Sequence, residues 1–285
     1  MSEPLTTIGL GAVAAYLGKD GLQKLLGPTA DYLGQGLLDF TQKRAQTIGK
    51  IFQKAESKLG AKLDTPGEVP PKVLKAVLDD GSFSNDSLAV EYLGGILASS
   101  RTEHGRDDRG ARIAKVMDAL STYQLRTHYL IYATVRALFA GSGLSLNMEG
   151  RAKMQIFIPF SGYFAAMDFS GAEKLQLSSL LGHVFFGLHG DNLLEGEWRY
   201  GDKDSIAKLF AGATDDGGIV CQPSALGGEL FLWAFGNADN RSTTCSPLSS
   251  CQSLKGCQTS SKVPVQPRHN PAGLPVLRDK AAQRR

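Results

Sequence analysis

The sequence predicts a mainly α fold, with a helical core, a small winged-helix-like α/β part near the C-terminus and a disordered tail. Three observations support this prediction. Apolar residues recur every three or four positions in several segments, as in amphipathic helices. Ser-x-x-Gln at 121–124 and Ser-x-x-Glu at 170–173 are candidate capping boxes, which begin helices. After residue 237 Phe, Tyr and Trp no longer occur, so the last segment has little apolar surface to bury.

Composition and charge divide the chain into three regions. Residues 1–63 are a Gly-rich region with a basic amphipathic helix, residues 64–237 are a helical domain with the winged-helix-like end, and residues 238–285 are a basic tail predicted to be disordered. The tail holds eight Lys or Arg and two Asp or Glu, a net charge of +6, whereas residues 1–237 hold 23 and 26, a net charge of −3. Because nucleic-acid-binding domains are usually basic, this balance disfavours specific nucleic acid as a partner.

A basic amphipathic helix is predicted within the N-terminal region. Its polar side presents Lys43, Lys50, Lys54 and Lys58, which are candidate contacts to an anionic membrane surface; an ordinary solvated helix face is the alternative. The longest apolar run before it, residues 8–17, is shorter than the ~20 residues of a membrane span. It also lacks the features of a signal peptide, so the chain is predicted to be cytoplasmic, either freely or peripheral to the inner membrane. The apolar positions of the helix are Ala30, Leu33, Leu37, Ala45, Ile48, Phe52, Ala55 and Leu59.

The remaining elements follow from periodicity and from turn residues. Pro70 and Pro71 cannot lie inside a helix, but Pro71 suits the first turn of one. Residues 151–169 are predicted to form a hairpin or a compact loop. The predicted helices are 72–79, 88–100, a short one around 113–120, 122–139, 173–187, 205–211 and 225–235, and the predicted strand is 217–222.

The densest polar cluster is the segment 101–112. Arginine suits bidentate binding of anions, so the segment is a candidate anion or partner site. Asp107 and Asp108 with His104 could instead support metal-dependent hydrolysis, and a solvated loop whose opposite charges pair is the third interpretation. The candidate site residues are Arg101, His104, Arg106, Asp107, Asp108 and Arg109.

No sequence motif for a metal or a cofactor is present. The five histidines do not follow a metal-binding spacing, and no Walker A or dinucleotide-binding glycine motif occurs. The cysteines at 245, 251 and 257 match no common zinc spacing, so free thiols are predicted. His128 is predicted to be a satisfied histidine, either on the helix surface or in the core, and the Phe185-Phe186 pair and the aromatic residues of 231–235 are predicted to lie in the core. Catalytic activity is left open, and a non-enzymatic role is favoured.

Five segments in this order resemble the Abi-alpha family of bacterial abortive-infection proteins. The similarity covers roughly residues 20–237, and most matching positions are those of helix caps and packing. Two features depart from the family pattern: His189 follows Gly187-Leu188, where an apolar residue is expected, and the tail is foreign to it. The segments are 70–78 (PPKVLKAVL), 95–100 (GILASS), 120–125 (LSTYQL), 184–188 (VFFGL) and 223–234 (PSALGGELFLWA).

The resemblance implies a role in defence against phage, by killing or arresting the infected cell. It favours a non-enzymatic effector or sensor, whose partner could be a phage-derived trigger, a membrane surface or a second copy of the chain. A membrane-associating effector that uses residues 8–62 is one alternative. A transcriptional regulator that binds nucleic acid through 173–235 is another.

Overall fold

A computed structural model describes residues 36–81, 83–84 and 86–238. The predictions for the Gly-rich segment 1–28 and for the tail beyond residue 238 lie outside the described residues. Within the described residues the fold is mainly helical, with one small antiparallel sheet, so the predicted helical core and small α/β part are confirmed.

The described part of the chain forms eleven α-helices and three strands. A 3-10 turn, Gly60–Asp64, follows the first helix. The helices are α1 (Gly36–Leu59), α2 (Pro71–Gly81), α3 (Ser87–Ser99), α4 (Arg109–Asp118), α5 (Thr122–Phe139), α6 (Met148–Ala152), α7 (Phe160–Met167), α8 (Gly171–Lys174), α9 (Leu177–Gly190), α10 (Lys203–Ala207) and α11 (Ala225–Ala234). The strands are β1 (Ile156–Pro159), β2 (Leu194–Gly201) and β3 (Gly218–Pro223).

Helix α3 is the centre of the core, because α1, α2, α4 and α11 all pack against it. All seven residues from 92 to 98 are buried, so this part of the helix is covered by protein on every side. Gly95 allows the closest approach: a Cβ at this position would lie 1.7 Å from the carbonyl oxygen of Ala234 on α11. Asp86 caps α3 by accepting a hydrogen bond from the Leu88 amide at 2.7 Å.

Helix α1 packs along α3 through a face that differs in part from the predicted one. Ile51 and Ala55 are buried, whereas Phe52, predicted to face the core, is 44% exposed. The prediction for Phe52 is therefore wrong: its ring lies one residue beyond Ile51, about 100° further around the helix.

Both predicted capping boxes are present. Ser121 accepts from the Gln124 amide and the Gln124 side chain accepts from the Ser121 amide, so α5 begins where the sequence indicated. The Ser170 and Glu173 pair does the same for α8. The helix predicted over 173–187 is two helices, α8 and α9.

The sheet has the strand order β1-β3-β2, with both pairs antiparallel. Only β3 was predicted. Residues 151–169 form neither a hairpin nor a loop, because β1 pairs with β3 and the chain then enters α7. Helices α9, α10 and α11 and strand β3 follow in the order predicted for the winged-helix-like end, with β2 inserted between α9 and α10.

Candidate functional site

Of the predicted polar segment 101–112, residues 101–108 form the loop that connects the end of α3 to the start of α4, and residues 109–112 lie in α4. The first part of the loop is tied to the segment before α2 by a two-residue antiparallel bridge, in which Glu68 and Thr102 exchange backbone hydrogen bonds of 2.9 and 3.1 Å. Gly105 then turns the chain at φ +55°, a conformation that L side chains rarely adopt. The loop is therefore held against the body of the protein at one end.

Arg101 acts as a clamp on the turn that follows α1. Its guanidinium donates to the carbonyl oxygens of Lys62 at 2.8 Å, Thr65 at 2.6 Å and, more weakly, Leu63 at 3.4 Å. These carbonyls lie at the end of the 3-10 turn, where the Lys62 carbonyl also accepts from the amide of Thr65 at 3.3 Å and from its hydroxyl at 2.8 Å. Most donors of Arg101 are thus already used within the protein.

The two adjacent carboxylates of the loop are also engaged. Asp107 accepts a bidentate ion pair from Arg109, and Asp108 accepts from Lys72 on α2 at 2.8 Å. The Arg109 guanidinium lies 5.8 Å from the ring centroid of the buried Trp233. These contacts join the start of α4 to α2 and α11.

His104 and Arg106 are exposed and form no ion pair with any described residue. The six predicted residues therefore divide into two groups: Arg101 and the Asp107–Arg109 segment hold helices together, and the other two face solvent. Among the described residues, no group of three His, Cys, Asp or Glu could hold a metal ion.

Two concave surfaces of the described residues are large enough to receive a partner. The smaller, about 370 Å³, lies at the ends of α1 and α3 and carries three basic residues, Lys58, Lys62 and Arg101, with Glu103. The larger, about 700 Å³, is a groove between α2 and α4. We call it the α2–α4 groove. It is lined by Lys72, Lys75, Ala76, Asp79, Ala111, Arg112, Lys115, Val116, Ala119 and Asp191.

The lysines predicted to contact a membrane do not form one free row. Lys54 and Lys58 both pair with Glu91 of α3, and the Lys58 side chain is only 9% exposed. Burial would raise the pKa of Glu91, but the two lysines outweigh it and lower that pKa. Lys50 is exposed, and the side chain of Lys43 lies outside the described residues.

A buried polar network lies among α3, α5 and the start of α11. His128 Nε2 donates to the carbonyl oxygen of Gly227 at 3.0 Å, so Nδ1 is the acceptor for the hydroxyl of Tyr92 at 2.9 Å. Burial lowers the pKa of His128 to about 4, which keeps the ring neutral near pH 7. Both ring nitrogens are satisfied and the ring is buried, so of the two predicted placements of His128 the core placement is correct.

A second part of this network orients α11. The Tyr132 hydroxyl donates to the carbonyl oxygen of Leu193 at 2.7 Å and accepts from the Ser224 amide at 2.9 Å. Ser224 in turn caps α11 by accepting from the Gly227 amide at 2.9 Å. Burial raises the pKa of Tyr132. The network is fully buried, and its hydrogen bonds fix the relative positions of three elements.

Ser121 and His183 form a surface contact with the composition of a nucleophile–base pair. Ser121 Oγ lies 2.9 Å from His183 Nε2, and the same hydroxyl accepts from the Gln124 amide as the cap of α5. Gln124 also donates to the His183 carbonyl at 3.5 Å. The contact therefore joins α9 to the start of α5.

An aromatic cluster on α9 and β2 was not predicted. Phe185 is buried as expected, but Phe186 is 66% exposed, which corrects its placement in the core. Its ring meets Trp198 edge-to-face at 5.2 Å, and His189 lies 5.7 Å from the same indole. The sequence did hold a signal for this cluster. Adjacent residues on a helix lie on different faces, so burial of Phe185 in the core makes exposure of its neighbour Phe186 the expected result.

Comparisons with known proteins found no match to this chain. The chain matches no protein-family model, no curated protein and no solved structure. Among the helices of the described residues, none is both long enough and apolar enough to cross a membrane.

Proposed function

We propose that this protein is an abortive-infection effector or sensor that acts in the bacterial cytoplasm by binding a partner rather than by catalysing a reaction. The defence role rests on the sequence resemblance, whose five segments fall on α2, α3, the start of α5, α9 and α11. These helices all contribute buried residues to one core. The resemblance is therefore one of scaffold, and it supplies no catalytic residue.

The ion pairs of the loop are the observation that supports binding of a partner rather than catalysis. A hydrolytic role would need Asp107 and Asp108 free to hold a metal or a water. Both are instead occupied by cations of the chain itself, Arg109 and Lys72. Recruiting Asp108 would break the ion pair that links α4 to α2, and recruiting Asp107 would break its local pair with Arg109. Arg112 and Lys115 beside the α2–α4 groove are exposed and can meet a partner without breaking an ion pair between described residues.

A plaque assay in a bacterial host, with a broad phage panel at high and low multiplicity, tests the defence role. It compares the full-length protein with chains lacking residues 1–35 or 239–285. The N-terminal cut at 36 keeps α1, because its removal would expose the Ile51 and Ala55 face. We expect protection by the full-length protein, with loss of infected cells at high multiplicity.

The same assay separates catalysis from binding when the Asp107→Asn and Asp108→Asn double variant is included. We expect it to protect as well as the wild type, because amides keep hydrogen bonds to Arg109 and Lys72. Loss of protection by a stably folded double variant would favour hydrolysis. Absence of protection by the full-length protein would remove the defence proposal.

A membrane-associating effector is the second candidate, favoured by one observation on α1. Phe52 is 44% exposed on a helix that also exposes Lys50, a combination that suits an anionic bilayer surface. Co-sedimentation with vesicles of phosphatidylglycerol and phosphatidylcholine tests it. Binding that depends on the anionic lipid and falls in Phe52→Ser with Lys50→Gln would support this candidate, and no binding at low salt would exclude it.

A further inference from the structure

The α2–α4 groove combines an apolar floor with a basic rim. Ala76 and Ala111 are buried beneath it, and Val116 and Ala119 form part of its apolar wall. Small side chains of this kind allow the backbone of a packed helix to approach closely. The groove runs along α2 from Lys72 to Asp79, a length of about 11 Å, which corresponds to two turns of helix.

The charges on the rim are unequal. Four cations line the groove against two carboxylates, Asp79 and Asp191. Lys75 pairs with Asp79 along α2, and Lys72 pairs with Asp108. On the α4 side, Arg112 and Lys115 are exposed and pair with no carboxylate among the described residues. Each lysine on the α2 side is thus paired with an aspartate, and the positive charge that is left for a partner lies on the α4 side of the apolar floor.

We propose that the α2–α4 groove binds an acidic amphipathic helix of a partner protein. An apolar stripe of that helix would lie on Ala76, Ala111 and Val116, and carboxylates flanking the stripe would meet Arg112 and Lys115. The inference rests on the proposed binding role and names the chemistry of the partner.

The charge and the lining of the groove favour an acidic helix over two other occupants, the chain's own tail and nucleic acid. The chain's own tail carries a net charge of +6, so the basic rim repels it. The groove is lined by aliphatic and charged residues, with no aromatic ring on which a base of single-stranded nucleic acid could stack. An acidic helix uses both the apolar floor and the cations.

A yeast-displayed library of helical peptides tests the inference with the full-length protein. Each peptide has about 14 residues, or four turns, with a fixed Ala and Leu stripe and random flanking positions. We expect the selected peptides to be enriched in Asp and Glu at the flanking positions. Their affinity, measured by fluorescence anisotropy of a labelled peptide, should fall at least about tenfold in Arg112→Glu with Lys115→Glu.

The matched control is Lys174→Glu with Lys208→Glu, which makes the same charge change at exposed residues outside the groove. It should leave the affinity within about twofold of the wild type, because distant surface charges are screened at physiological salt. Circular dichroism melts confirm that both double variants fold.

Four results would overturn the inference: no enrichment, enrichment of neutral or basic flanks, equal affinity for wild type and groove variant, or duplex DNA that competes for the groove. Failure of the proposed function looks different, since the wild-type protein would then give no phage protection. Protection by the wild type together with unchanged peptide affinity in the groove variant would refute the groove inference alone.

Discussion

Arg101 shows how surroundings decide the role of a charged residue. In the sequence it opens the densest polar cluster and looks like an anion contact. In the structure its guanidinium is directed to three backbone carbonyls at the end of the 3-10 turn. The two interpretations differ in what they require: anion binding needs a positive charge, whereas the clamp needs the planar, forked geometry of arginine.

Replacing Arg101 with Lys should therefore destabilise the protein although the charge is kept. A single ammonium on a shorter reach cannot serve three separated carbonyls, and we expect a loss of about 1–2 kcal/mol in the free energy of unfolding. Urea denaturation measures it. Arg106→Lys is the control, because Arg106 is exposed and makes no ion pair with a described residue. Equal stability of both variants would show that the clamp contributes nothing.

His128 makes stability depend on pH. Its pKa is about 4 in the folded protein and 6.5 in the unfolded chain, so the unfolded chain binds the proton first as pH falls. The contribution of the neutral ring is complete above pH 6.5 and is lost as pH falls from 6.5 towards 4. We expect a loss of about 2 kcal/mol between pH 7.5 and pH 5, measured by urea denaturation.

His128→Gln isolates this contribution from other groups that titrate in acid. The variant has no titrating ring, so its free energy of unfolding should change less over the same interval, whatever its absolute stability. Parallel pH profiles for the wild type and the variant would contradict a buried, neutral His128. The carboxylates with the lowest pKa values, Glu173 and Asp216 at about 2, stay ionised throughout this interval.

At the scale of elements, the contact between α3 and α11 depends on one missing side chain. Gly95 lies where any Cβ would meet the backbone of Ala234, and backbone atoms cannot move aside as a flexible side chain can. Within a helix, Gly is otherwise unfavourable by about 1 kcal/mol relative to Ala. Close packing of the two helices outweighs that cost here.

Gly95→Ala should thus separate α3 from α11 and destabilise the protein by about 3 kcal/mol or more. Gly49→Ala on α1 is the matched control, since a Cβ there meets nothing within 4 Å. It should raise the free energy of unfolding by about 0.5–1 kcal/mol through helix propensity alone. Thermal denaturation compares the two, and a neutral Gly95→Ala would refute the close contact.

Strand β2 carried a periodic signal that was missed. Its sequence, LEGEWRYG, alternates Leu194, Trp198 and Tyr200 with charged residues, the period-two pattern of a half-buried strand, although glycine stands at the third and the last position. Pairing with β3 makes it a strand, and the register shift between Glu195 and Arg199 accommodates its irregular middle. Strand β1 has only four residues and depends on the same central partner.

For the whole molecule, the composition of the tail predicts the effect of truncation. The described core ends at residue 238, and the tail lacks aromatic residues to bury. Removing residues 239–285 should leave the melting temperature within about 2 °C of the full-length value. Differential scanning calorimetry of both chains measures this. A fall of several degrees would show that the tail stabilises the fold.

The sequence by itself determined the features that depend on neighbours along the chain. The capping residues Ser121, Ser170 and Asp86 mark helix starts because the groups they bond lie two or three positions away. The amphipathic spacing of α2, α5 and α9 likewise follows from local geometry. The predicted capping boxes and the predominance of helix were therefore correct.

The tertiary structure alone decided which charges remain available. Lys58 and Glu91 are 33 positions apart, and Arg101 reaches carbonyls 36 to 39 positions away. No local sequence pattern encodes such pairs, because the identity of a charged residue does not say whether its side chain contacts water or a distant carbonyl. The charged loop and the basic face of α1 were therefore visible in the sequence, whereas the α2–α4 groove and its exposed cations exist only once the helices pack.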